Sequence, residues 1–180
     1  GFVEETGAAQ HYRDARIAPI YEGTNGIQAI DLVGRKLVRD GGQAMNELIE
    51  DVRQTVEDCA TSSNPELPGL ADRLKPACDA LEEASAWLLK ASDEDRLAAA
   101  TPFLKLAGDV AGGWLLCVGA VAAQRMLKEG SNEAGYAHAR ISLARVYAET
   151  VLSSAPGLVG DVKVGAEPLF GPGEAMLESA

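Results

Sequence analysis

Residues 93–128 read DEDRLAAATPFLKLAGDVAGGWLLCVGAVAAQRMLK, and this stretch decides the fold. It is apolar and rich in alanine, with acids at its start and basic groups near its end. Acidic side chains at Asp93, Glu94 and Asp95 suit the positive end of a helix dipole, and Ser92 stands where a cap belongs. The spacing predicts one helix over 93–128. Gly108, Gly112, Gly113 and Gly119 sit at its centre, each costing about 1 kcal/mol relative to alanine. Four such residues imply a compensation, most simply another helix backbone lying close. The uncharged run 110–124 is shorter than the ~20 residues of a membrane span, and Asp109 and Arg125 flank it, so a core helix is expected.

Outward from this helix the same pattern repeats. Met45, Leu48, Ile49, Val52 and Val56 make an apolar stripe over 43–59, and Leu74, Cys78, Leu81, Ser85 and Leu88 make another over 70–91. A further helix is expected over 133–154, after the break at Gly130-Ser131-Asn132 and before Pro156-Gly157. Two shorter helices precede these, over 4–17, closed by Pro19, and over 25–39, stopped by Gly41-Gly42. Asn25 with Gln28 has the form of an N-cap and its reciprocal partner. The sum is an all-α chain, an up-and-down bundle of about four long helices preceded by two short helices. From about residue 157 an extended, loosely ordered tail is expected.

Composition agrees and excludes several classes. The 180 residues carry 16 Lys+Arg and 27 Asp+Glu, a net charge of −11, so no basic face is offered to nucleic acid or an anionic membrane. Aromatics are 5% while alanine reaches 30 residues, which fits closely packed helices better than a sandwich or barrel. Cys59, Cys78 and Cys117 are far apart in sequence and have no metal-ligand spacing, so reduced thiols and a cytoplasmic setting are expected, with no metal. His11 and His138 stand alone and read as surface or packing residues, Trp87 and Trp114 as core or interface anchors.

Chemistry concentrates in residues 12–37, YRDARIAPIYEGTNGIQAIDLVGRKL. Glu22 lies in a short turn between two helices, flanked by Pro19, Ile20, Tyr21 and Gly23. Partial desolvation there would raise its pKa and suit it to act as a base near neutral pH. The N–H groups opening the next helix could bind a phosphate or an oxyanion. On the residues alone, a solvated turn carboxylate assisting a helix start is the favoured reading.

The string resembles the C-terminal signature of the acyl-CoA dehydrogenases, nearly continuously over some two dozen positions. The leading GFVEE resembles the same family's Gly-Gly-x-Gly-Phe/Tyr stretch, cut inside the motif. The resemblance implies an FAD-dependent enzyme that takes a proton from Cα of an acyl-CoA thioester and passes a hydride from Cβ to the flavin. Glu22 matches the family's catalytic base. Gly23 and Tyr21 match positions lining the acyl pocket, and Thr24 and Gly26 match positions near FAD. Arg13 and Asp14 are read as a structural ion pair or helix-end contacts. Electron-transfer flavoprotein is the acceptor, and a homo-oligomer the assembly, that the family implies.

The resemblance also divides the chain. Residues 1–42 resemble the end of the family's C-terminal helical domain. Residues 43–180 resemble the helical C-terminal extension of a subgroup similar to the 3-methylmercaptopropionyl-CoA dehydrogenases, chiefly through ARVYAETVLSSAPGLVGDVKVGAEPLF. The family's other domains have no counterpart here, so this C-terminal fragment is expected to retain no FAD and to be inactive by itself. The competing expectation is a non-catalytic helical oligomerisation or interaction module.

Overall fold

The computed structural model describes residues 3–21 and 23–170, the side chains of Thr6 and Phe170 excepted. Helices account for the regular structure, and there is no strand among the described residues. A short 3-10 turn, Glu4–Thr6, leads into α1 (Ala8–Ile17). After the signature turn come α2 (Asn25–Asp31), a π-helical segment (Leu32–Lys36) and α3 (Leu37–Arg39), continuous in one rod. Then follow α4 (Gln43–Ala60), α5 (Pro68–Leu88), α6 (Asp93–Ala98), α7 (Ala100–Lys128) and α8 (Ala134–Thr150). The four long helices are thus α4, α5, α7 and α8.

The π segment has a reason in the apolar spacing. Ala29, Val33 and Leu37 recur every fourth residue and are all buried. A regular helix, at 3.6 residues per turn, would rotate such a row off the core. The widened turn, in which the Leu37 N–H donates to the Leu32 carbonyl, keeps all three facing inward, where α2 packs against α7. Gly41 and Gly42, at φ 67° and 86°, then reverse the chain. Asp40 anchors the corner, its carboxylate accepting from the N–H groups of Gly42 at 3.0 Å and Ala44 at 3.1 Å.

The long stretch 93–128 is two helices rather than one. Pro102 lacks an N–H, and its ring crowds the carbonyl four residues back, Ala98, which ends α6. The chain turns at Ala99 and restarts. Ser92 does cap α6, its hydroxyl accepting from the Asp95 N–H at 3.1 Å. By length and composition alone, α7 could cross a membrane. In the structure it is the central helix, with Phe103, Leu106, Val110, Cys117, Ala120 and Ala123 buried.

Two of its glycines, Gly112 and Gly119, are filled from α8 by side chains, where the sequence suggested an approaching backbone. A Cβ on Gly112 would lie 2.6 Å from the Tyr147 hydroxyl, and one on Gly119 would lie 3.0 Å from the Arg140 guanidinium. These two contacts run in opposite order along the two helices, which makes α7 and α8 an antiparallel pair. A Cβ on Gly108 would meet nothing within 4 Å.

The expected loose tail from about 157 is a packed structure as far as residue 170. A 3-10 turn (Leu152–Gly157), α9 (Leu158–Lys163) and α10 (Glu167–Phe170) follow α8. Leu152, Ala155 and Val162 are fully buried. Lys163 pairs with Glu83 on α5, and the Ala166 N–H donates to Asp95 at 2.8 Å. Scattered Gly, Pro and Val hid this, because two six-residue turns are too short to show a periodicity. Residues 171–180 of the expected tail lie outside the described residues.

Candidate functional site

The signature turn is carried between α1 and α2. α1 ends as the Ile20 and Tyr21 N–H groups fold back onto the Ile17 carbonyl, at 3.0 and 3.1 Å. α2 starts at Asn25, with Thr24 extended at φ −82° and ψ 170° in the cap position and its carbonyl accepting from the Gln28 N–H at 3.1 Å. Asn25 is therefore the first helical residue, which puts it one position past the capping role the sequence suggested. The Thr24 hydroxyl makes no cap hydrogen bond.

Gly23 is the pivot. Its φ of 105° is a left-handed conformation that side-chain-bearing residues rarely adopt, and a Cβ there would lie 3.0 Å from Ile27 Cγ2. Glycine is thus required twice over, by backbone and by contact. Tyr21, Gly23 and Thr24 lie on this turn, and Gly26 lies in the first turn of α2. Glu22, the candidate base between Tyr21 and Gly23, lies outside the described residues.

The surroundings are more open than the sequence suggested. Ile20 is 62% exposed and Tyr21 54%, so the apolar flank points into solvent. Tyr12 and Ile17 on α1 and Ile27 and Ile30 on α2 are also exposed. His11 and His138 are both exposed. Arg13 pairs with Glu4 at 3.1 Å, in place of the Asp14 partner suggested by adjacency.

Two features of this helix went unread in the sequence. One is the π segment just behind the signature, a feature often found at functional sites. Its sequence signal was the four-residue spacing of Ala29, Val33 and Leu37. The other is a charge cluster on the same rod. Asp31 accepts a bidentate pair of bonds from Arg35 at 2.5 and 2.8 Å, with Lys36 Nζ at 3.4 Å. The Arg35 guanidinium holds the Asp31 carboxyl below its usual range.

Elsewhere, a cleft of about 310 Å³ between α4 and α5 is lined by Glu50, Arg53, Glu57 and Lys75 among others. Arg53 is already paired with Asp79 at 3.1 Å and Glu82 at 2.6 Å, so this lining is an ion-pair network with no cation left over. No cluster of His, Cys, Asp or Glu that could hold a metal exists among the described residues.

The thiols divide into a pair and a single. Cys59 and Cys117 are both buried in the core, and the influence of Cys59 together with burial pushes the Cys117 thiol up. Burial pushes the Cys78 thiol up to about 11.

Comparison with known proteins shows the family. Residues 48–171 match the family described as "Acetyl-CoA dehydrogenase C-terminal like", and the chain belongs to it. It is 42% identical to 3-methylmercaptopropionyl-CoA dehydrogenase of Ruegeria pomeroyi, over 84% of this chain and 26% of that protein. It is 30% identical to the broad-specificity linear acyl-CoA dehydrogenase FadE5 of Mycobacterium tuberculosis, over 84% of this chain and 26% of that protein. Butyryl-CoA dehydrogenase of Syntrophomonas wolfei is 28% identical over 91% of this chain and 27% of its own length. The chain spans about a quarter of the length of these relatives.

Proposed function

We propose that this chain is the C-terminal part of an FAD-dependent acyl-CoA dehydrogenase and that Glu22 is its α-proton base. The reading is supported by the signature turn, where Gly23 takes φ 105° and Ile20, Tyr21 and Ile27 are exposed. Glu22 would take the proton from Cα of a thioester bound against these residues. The backbone N–H of Glu22 would donate to the thioester carbonyl and stabilise the charge that develops as the Cα proton leaves, often a large part of catalysis. Tyr21 and Gly23 border the acyl chain, with the missing side chain at Gly23 leaving room.

The flavin-facing residues fit one wall of a pocket. The Thr24 hydroxyl is exposed and makes no cap hydrogen bond. A Cβ at Gly26 would meet only Thr24 Oγ1, at 3.8 Å, so its backbone is open to close approach. FAD, when bound, accepts the hydride from Cβ of the substrate. The isolated 180-residue chain, which spans about a quarter of its relatives' length, is proposed neither to retain FAD nor to turn over. Electron-transfer flavoprotein is the proposed acceptor. Gly41-Gly42 is the proposed boundary between the dehydrogenase core and its helical extension.

The test is catalysis by the full-length parent, purified with its flavin and mixed with a panel of acyl-CoA thioesters. Formation of the α,β-unsaturated thioester with bleaching of the flavin is expected. A parent that binds acyl-CoA or a partner without bleaching would replace this reading with that of a helical interaction module.

A further inference from the structure

One hydrogen bond sets α4 against α7 and a second sets the loop that follows α4. Trp114 Nε1 donates to Thr55 Oγ1 at 2.9 Å, and past the end of α4 Asn64 Nδ2 donates to Gln124 Oε1 at 2.7 Å. Both contacts advance in the same sense, so the two helices run parallel here. One turn on from Thr55 stands Cys59, and one turn on from Trp114 stands Cys117. The two are therefore placed side by side by the helix register, and both are free and buried, with 0% and 1% of their surface exposed. Cys78 sits on the other side of α4, its Sγ 3.8 Å from the Ile49 carbonyl.

Two thiols placed side by side have a two-electron oxidation open to them that a single thiol lacks. We infer that Cys59 and Cys117 are a redox-active pair, which a hydroperoxide closes into a disulfide joining α4 to α7 while Cys78 stays a thiol. The Cys59 sulfur attacks one peroxide oxygen, the O–O bond breaks, and the thiol proton leaves with the departing oxygen. This gives a sulfenic acid and, from hydrogen peroxide, a water. The Cys117 sulfur then displaces the sulfenic hydroxyl, which leaves with the Cys117 proton as a second water. Two thiols lose two hydrogens and two electrons, and one peroxide becomes two waters. Cys59 attacks first because the neighbouring Cys117 thiol holds its pKa down. The new bond would tie the helix that follows the signature rod to the helix on which that rod rests.

The test treats the folded 180-residue chain with hydrogen peroxide, quenches with catalase, then unfolds and alkylates it. Expected is one alkylatable thiol in place of three, at Cys78, with a Cys59–Cys117 peptide two hydrogens lighter that dithiothreitol restores. Three surviving thiols, oxygen retained on either cysteine, or a crosslink that includes Cys78 would overturn the inference. Cys117→Ala removes the resolving sulfur, so Cys59 should instead accumulate as a sulfenic acid trapped by dimedone. Loss of two hydrogens persisting in that variant would overturn the pairing. Should Cys117→Ala not fold, Cys78→Ala leaves both partners in place and must show complete loss of alkylatable thiols.

Discussion

Leu152 occupies the space that a side chain on Gly113 would need: a Cβ there would lie 2.6 Å from both of its δ-methyls. Leu152 is fully buried, so it has nowhere to go. The two residues lock the turn after α8 onto the middle of α7.

Gly113→Ala should therefore destabilise the chain by about 1–3 kcal/mol, although alanine favours helix, because overpacking a closed core outweighs propensity. Gly108→Ala, an exposed position with nothing within 4 Å of the new methyl, should stabilise it by about 0.5–1 kcal/mol. Denaturant melts of the two variants measure this directly. Changes of the same sign would contradict the account of why glycines interrupt α7.

Asp95 ties the C-terminal turn to the start of α6, accepting from the Ala166 N–H at 2.8 Å and from the Ser92 hydroxyl at 2.8 Å. The Ala166 N–H holds its carboxyl below the usual value of 3.8. A depressed folded value means the contribution is present above the unfolded value and lost as pH falls below it. Amides of α9 and α10 should exchange hydrogen faster in Asp95→Ala than in the parent chain at neutral pH. Unaltered protection there would show that the carboxylate does not hold the turn.

Cys78 should resist alkylation of the folded chain until the pH approaches 11, since only the thiolate reacts. The sign for stability is the reverse of Asp95. A thiol raised above its ordinary 9.0 stabilises the fold fully below that value and less as pH rises toward about 11. Titrating stability across that interval in the parent and in Cys78→Ala should show the alkaline decline diminished in the variant.

The fold was legible wherever burial had a period. The stripes of α4 and α5 and the glycine stop at Gly41-Gly42 stand in the sequence and in the structure alike. The break at Ala99 was legible in principle, since Pro102 signals it, but the apolar run across it concealed the signal. The docked turns after Leu152 were not legible, because their burial comes from contacts with α5, α6 and α7 that no local pattern encodes. Of the site, the turn between two helices was readable, while the left-handed backbone of Gly23 was not. The open setting of Ile20 and Tyr21 was not, because a sequence shows which residues are apolar and not what covers them. The register that places Cys59 beside Cys117 was likewise invisible, arising only when α4 and α7 pack.

The central claim rests on one carboxylate. Rapid mixing of acyl-CoA with the full-length flavoprotein carrying Glu22→Gln reads it most directly, because the amide keeps the shape and removes the base. Flavin bleaching slower by about 10²–10⁴-fold, with substrate affinity little changed, is the predicted result. Bleaching at the parent rate would contradict the assignment of Glu22.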